Sequence, residues 1–261
     1  TPSNSSAASD VYKRQIMENI VSYCDLTIEC QEADYQGNYR ISSLLSKLSD
    51  LATKNAVEVG IWRPELGERF GFVLAKETLI LKRPIKIDEK IRLKTRAAAC
   101  KRIQFTRNYW VEDENGDEIA SVYSLWTLID LEKRRITKPD KAGIIMPEIK
   151  SYDYTIEEYH EIIKELPLDY VMERQVLYSD VDVNQHMNNS RYIEWAFDAV
   201  GLRIFEQHYF KEVSILYKQE MAPGTIAKIY RYFDDKYVKV VFKSIDDSVI
   251  YFEMGGYLDN F

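Results

Sequence analysis

One order of patterns occurs twice along this chain, and it constrains the fold more than any other feature. Each half reads as a short strand, then an amphipathic helix, then about four strands. In the first half, residues 22–31 have strand character. Ile41, Leu44, Leu45, Leu48, Leu51 and Ala52 then recur at helical spacing, which predicts a helix from Ile41 to Val59 with Gly60 as its stop. Strand-like runs follow at 70–81, 90–101, 104–112 and 118–131. In the second run Ile91, Leu93, Thr95, Ala97 and Ala99 alternate with Arg92, Lys94 and Arg96, as a half-exposed strand requires. Asn115-Gly116 predicts a hairpin between the last two runs. The second half repeats the order. A strand is expected at 174–178, a helix from near Asn189 whose apolar face is Ile193, Ala196, Phe197, Val200 and Ile204, and strands at 211–220, 225–233, 237–245 and 249–258.

A single long helix buries its stripe best in the concave face of one antiparallel sheet. Two such units in tandem predict an α+β chain built as a double hotdog, with the sheets paired edge to edge to cover a strand edge. Pro139, Pro147 and Pro167 mark a linker that also carries a short acidic stretch with helical potential. The expected divisions are a disordered tail at 1–15, an N-terminal unit at 16–136, a linker at 137–167 and a C-terminal unit at 168–261.

Composition excludes several classes. The chain of 261 residues has a net charge of −7, which disfavours general nucleic-acid binding because phosphate contacts need clustered Lys and Arg. The 3 cysteines have no paired spacing, so neither a disulfide framework nor a zinc ribbon is expected, and a reducing, cytoplasmic setting fits. No apolar run is long enough to span a membrane, and the polar first 15 residues do not read as a signal peptide. Neither a Gly-x-Ser-x-Gly elbow nor a phosphate loop occurs. His160, His186 and His208 are too far apart for a shared helix to pair them, so no metal site is expected.

The chemistry concentrates between Tyr178 and Asn189. Asp180, Asp182, Asn184, His186, Asn188 and Asn189 crowd between a strand and a helix. A calcium loop opens this way, but Gln185 and Arg191 stand where its Gly and Glu belong. Asn188 or Asn189 suits helix capping, which leaves Asp182 and His186 unexplained. Asn188-Asn189-Ser190 is a formal glycosylation sequon with no secretory signal to use it. The functional reading is hydrolysis. A helix N-terminus offers N–H groups and partial positive charge to an oxyanion, and His186 and Asn184 precede it.

Asp182-Val-Asn184-Gln-His186-Met-Asn188-Asn189, followed by Arg191-Tyr192-Ile193, closely resembles the C-terminal motif of the acyl-ACP thioesterase family. Leu216 to Met221 resembles the strand that carries the family's catalytic Glu, here Glu220. Met221 stands where plant members have a Cys, so a thiol nucleophile is excluded at that position. Arg40 to Leu51, Arg83 to Lys90 and Ile119 to Asp130 resemble N-terminal segments of the same family. The resemblance runs from about Val21 to Leu258.

It implies hydrolysis of acyl-acyl carrier protein to free fatty acid, without a cofactor. Glu220 would act as general base on water or attack the thioester directly. His186 and Asn184 would orient water or the carbonyl, and Asp182 would stiffen His186 or Asn184. Asn188, Asn189, Trp62 and Phe72 are expected on the substrate, the last two in an N-terminal half that sets chain length. An acyl-CoA thioesterase and a non-catalytic acyl-binding protein are the alternatives. Lys82-Arg83, Lys101-Arg102 and Lys133-Arg134-Arg135 are candidate contacts for the acidic carrier, and the pattern leaves room for a homodimer.

Overall fold

The computed structural model describes residues 21–144 and 160–261; the expected N-terminal tail and most of the linker's acidic stretch lie outside them. The first half holds β1 (Ser22–Thr27), α1 (Ile41–Glu58), β2 (Phe70–Leu81), β3 (Lys90–Lys101), β4 (Gln104–Asp113), β5 (Glu118–Asp130) and a short β6 (Arg135–Ile136). The second holds β7 (Asp169–Gln175), α2 (Asn189–Val200), a single turn α3 (Leu202–Phe205), β8 (His208–Tyr217), β9 (Ile226–Phe233), β10 (Tyr237–Lys243) and β11 (Ile250–Asn260).

All the strands form one sheet in the order β1-β3-β4-β5-β2-β8-β11-β10-β9-β7, with β6 added on β5. The order reads alike from either edge, because each half contributes the same arrangement. The halves join where β2 and β8 pair antiparallel, from Lys76↔Leu216 to Ile80↔Glu212. Thus the expected edge-to-edge union covers a strand edge that each half alone would expose. Across this seam the Thr78 and Ser214 hydroxyls are 2.9 Å apart.

The helices lie against one face. Every residue of the α1 stripe, Ile41, Leu44, Leu45, Leu48, Leu51 and Ala52, is buried. Each such Leu or Ile contributes about 1.5–3 kcal/mol. The opposite face of the seam is strapped by the end of the linker. The His160 N–H donates to Thr78 Oγ1, and its Nδ1 is 2.6 Å from Glu212. Lys239, buried on β10, donates from Nζ to the carbonyls of Ile163 and Lys164 at 2.7 and 2.9 Å.

Several expectations need correction. The residues expected as a strand at 174–178 are split: β7 ends at Gln175, and Tyr178–Asp180 form a 3-10 turn. Likewise Cys30–Glu32 form a 3-10 turn after β1. The helix expected to run through Ile204 ends at Val200, because Gly201 takes φ +91° and starts α3. A bulge between Ala97 and Ala99 breaks the alternation of β3, so Ala98 is the buried residue there. Glu220 lies in the loop after β8, which ends at Tyr217.

Candidate active site

The segment after β7 turns sharply before it becomes α2. The N–H of Asp182 donates to the His186 carbonyl at 3.0 Å, and that of Gln185 to the Asp182 carbonyl at 3.0 Å. Asp182 Oδ1 accepts the Asn184 N–H at 2.8 Å, an Asx turn, and its Oδ2 accepts from Asn188 Nδ2 at 3.3 Å. Asp182 therefore stiffens the backbone of Asn184 and the side chain of Asn188. Gln185 closes the turn at φ +64°, a left-handed conformation that disfavours any residue with a Cβ.

Asp180 is buried beneath this turn. It accepts the Leu177 N–H at 2.9 Å and the Trp195 indole N–H at 3.3 Å. It locks the 3-10 turn to the middle of α2, a structural part.

Asn188 caps α2. Its Oδ1 accepts from the Ser190 N–H at 3.0 Å, and its carbonyl accepts the Arg191 N–H at 2.9 Å. With Nδ2 on Asp182, its side chain is committed at both ends. The Ser190 and Arg191 N–H groups are thereby used inside the protein. The helix still supplies the partial positive charge of its N-terminus. Asn189 is exposed, and its carbonyl accepts from the Tyr217 hydroxyl at 3.3 Å.

Glu220 comes to this turn from the other direction. The Lys218 and Gln219 N–H groups both donate to the Tyr251 carbonyl. The Met221 N–H donates to the Tyr192 hydroxyl at 2.8 Å, and its carbonyl accepts the Met187 N–H at 3.0 Å. The backbone around Glu220 is thus fixed on both sides while its side chain projects outward. Met221 is fully buried, packed in the core. His186 Nε2 lies 3.4 Å from Glu220 Oε2, with side-chain exposures of 38% and 49%. Asn184 stands exposed on the same turn. The fold brings Asp182, Asn184, His186 and Glu220 to one place, although 34 positions separate His186 from Glu220.

Trp62 and Phe72 lie elsewhere, in the N-terminal half. Their rings are 5.6 Å apart, and Phe72 meets Phe105 edge-on at 4.8 Å. They cover a second apolar cluster of Val59, Ile61, Phe70, Phe105 and Leu128, with Trp126 beside them. The antiparallel pairing of β2 and β8 sends the chain beyond Tyr217 toward the Phe70–Leu74 end of β2. The aromatic cluster and the Glu220 loop therefore share one end of the sheet.

Sequence reasoning missed Tyr192 and Tyr217 as supports of the site. Their spacing carried only a core signal, and their partners lie far along the chain. It also missed that residues 29–41 build the same turn as residues 177–189; Asp34-x-x-Gly37 against Asp182-x-x-Gln185, each just before a helix, was the available signal.

A hotdog pair in one sheet, with a His–Glu pair at the second helix's N-terminus, defines the class of protein. The chain belongs to the acyl-ACP thioesterase family: the family's N-terminal domain model matches residues 23–142 and its C-terminal domain model residues 152–250. A palmitoyl-acyl carrier protein thioesterase of Gossypium hirsutum, described as chloroplastic, is 24% identical over 232 residues, 81% of this chain and 54% of that protein. A dodecanoyl-[acyl-carrier-protein] hydrolase of Cinnamomum camphora, also chloroplastic, is 28% identical over 206 residues, 71% of this chain and 52% of that one. The chain thus spans about half the length of the curated relatives it matches. Among solved structures, the 12:0-ACP thioesterase from Umbellularia californica superposes with a TM-score of 0.83 at 19% identity, covering 93% of this chain and 98% of that one. An acyl-ACP thioesterase from Bacteroides thetaiotaomicron gives a TM-score of 0.76 at 21% identity, covering 92% and 98%. These superpositions establish the fold. Among the described residues no helix is long and apolar enough to cross a membrane.

Proposed function

We propose that this chain hydrolyses the thioester of an acyl-acyl carrier protein and releases the free fatty acid. The observation that carries the reading is the His186–Glu220 pair, 3.4 Å apart and open to solvent at the N-terminus of α2. Glu220 is accessible to water and acts as general base on the attacking water. His186 holds that carboxylate and the water in line, and Asn184 orients the thioester carbonyl. Asp182 keeps the turn that presents both. Positive charge at the start of α2 favours the oxyanion that forms. The leaving thiol takes the proton that Glu220 removed from water. Direct attack by Glu220 is the second reading, favoured by the 49% exposure of its side chain.

The division of labour follows the cores. Residues 168–261 serve as the catalytic unit and residues 16–136 as the acyl-binding unit, where Trp62 and Phe72 offer a partly exposed aromatic wall. Exposed, unpaired Cys24 and Cys30 support the cytoplasm as the compartment.

A panel of acyl-carrier proteins and the matching acyl-CoAs tests the reading, with released acid identified by mass spectrometry. Turnover of the carrier-bound substrates is expected, with preference over the CoA forms. Faster turnover of acyl-CoA would transfer the assignment to a CoA thioesterase. Binding without release would make the chain an acyl-binding protein.

A further inference from the structure

One buried acid has no part in the chemistry described so far. Glu77 lies on β2 at the seam, across from Ile215 of β8, and is only 6% exposed. Its neighbours Leu79 and Leu81 on the same face belong to the core beneath the helices. The groups that face it are Tyr217 from β8 and Tyr109 from β4. Arg107 is further off: its guanidinium donates to Asn55 Oδ1 at 2.6 Å and Thr95 Oγ1 at 3.3 Å. Tyr192 of α2 stands behind Tyr217, with ring centroids 5.7 Å apart.

The Tyr217 hydroxyl is the link to the active site. It lies against the Glu77 side chain, two residues along β8 from Ile215 and on the same face, and it donates to the Asn189 carbonyl at 3.3 Å. A phenol has one proton, and a carbonyl can only accept. With that proton on Asn189, the contact with Glu77 is satisfied only if the carboxyl is the donor. We infer that Glu77, as a neutral acid, is a positioning residue: it donates to Tyr217, which donates to Asn189 and sets the start of α2 against the strand that leads to Glu220. This inference rests on the thioesterase reading above.

The surroundings agree. Burial pushes the Glu77 carboxyl up from 4.5 to about 8, against the Tyr217 contact. Burial also holds the Tyr217 phenol well above its ordinary value, so it keeps its proton to give. When Glu77 ionises, the carboxylate accepts the Tyr217 hydrogen bond, and the Asn189 carbonyl loses its donor. The arrangement thus spans the seam, from a strand of the acyl-binding half to the catalytic turn.

Glu77→Gln and Glu77→Leu test it. Gln keeps a donor in place and should hold kcat within about threefold, whereas Leu should lower kcat about tenfold with KM little changed. Wild-type kcat should fall above pH of about 8, and that limb should be lost in Glu77→Gln. Should Glu77→Leu fail to fold, Tyr217→Phe reads the same loss. An unaltered kcat in Leu or Phe variants, or an unchanged alkaline limb in Glu77→Gln, overturns the inference. Stability gives a second readout. The folded chain holds the proton more tightly than the unfolded one, so stability should fall as pH rises from 4.5 toward about 8 and then level off, and Glu77→Gln should lack this slope. If no acyl thioester is turned over, the thioesterase reading fails on its own. The proton on Glu77 is still read by infrared difference spectra of wild type against Glu77→Gln, and absence of a carboxylic-acid band at neutral pH overturns the inference.

Discussion

The two halves build the same turn, and only the second sets a His–Glu pair beside it. In the first, the Asp34 N–H donates to the Asn38 carbonyl at 2.8 Å, Asp34 Oδ1 accepts the Gln36 N–H at 2.9 Å, and Oδ2 accepts from Asn38 Nδ2 at 3.3 Å. In the second, Asp182 makes the same two turn bonds with His186 and Asn184, while its Oδ2 accepts from Asn188, two residues beyond the counterpart of Asn38. The Arg40 N–H reaches back to the Glu32 carbonyl as that of Asn188 does to Asp180. Even the incoming loop matches, since the Tyr39 N–H donates to Ile85 as that of Met187 does to Met221. By this register Asn38 occupies the place of His186, and Pro84 that of Glu220. Lys86 Nζ donates to the buried Asn38 Oδ1 at 2.5 Å, so an ammonium–amide contact fills the spot where the other half has its His–Glu pair. The turn is scaffold common to both halves; a histidine on it and a glutamate from the incoming loop distinguish the second.

The cores differ in the opposite sense. Under α2 the space is filled by aromatics: Tyr192 stacks on Phe252 at 5.4 Å, and Phe242 meets Phe252 at 4.8 Å. Beneath α1 the sheet carries buried Thr95, Arg107 and Ser124, Arg107 donating to buried Asn55 of the helix, with a separate apolar cluster beyond them. A fully packed core holds a catalytic turn rigid.

The largest effect is expected from His186→Asn, which gives the catalytic turn the residue of its counterpart. kcat/KM should fall by about 10²–10⁴, the range when general-base catalysis is lost, because Glu220 no longer has the imidazole that aligns it, while the circular dichroism stays native. Retention of activity within tenfold would mean that the turn works without its imidazole. Next come the paired aspartates. Asp182→Ala and Asp34→Ala should each cost about 1–2 kcal/mol in denaturant unfolding, since each removes hydrogen bonds from a turn N–H and an amide. Only Asp182→Ala should also lower kcat; equal kinetic loss in both would make the first turn part of the machinery. The smallest effect concerns backbone conformation. Gln185 at φ +64° stands where the first half has Gly37 at φ +73°. Gln185→Gly should stabilise the protein by about 1 kcal/mol, and Gly37→Ala should destabilise it similarly. The added Cβ at Gly37 meets Ile87 at an ordinary 3.6 Å, so conformation alone sets that cost. Thermal unfolding of both variants checks the signs.

Periodicity and turn residues made much of the fold legible. The bounds of β2 and β3 and the start of α1 follow from alternation, helical spacing and flanking residues, because those signals are local. The helix break at Gly201 was not legible, since Phe197, Val200 and Ile204 keep helical spacing through it. Nor was the bulge in β3, which registers only against β4. Within the site, Asp182, Asn184 and His186 form a contiguous motif. Glu220 was reached through resemblance, and its position in a loop between two anchored residues depends on Tyr192 and Tyr251 from other elements.

The sequence by itself determined two helix-on-sheet units, since the spacing of apolar residues leaves each helix one face to bury. It also determined the tight turn before α2, whose Asp, Asn and cap chemistry is local. Tertiary structure alone decided that Glu220 meets His186, and that Glu77 of one half lies under Tyr217 of the other. Both depend on the β2–β8 seam and the loops it aligns, and hydrogen bonds between distant strands leave no periodic trace in the chain.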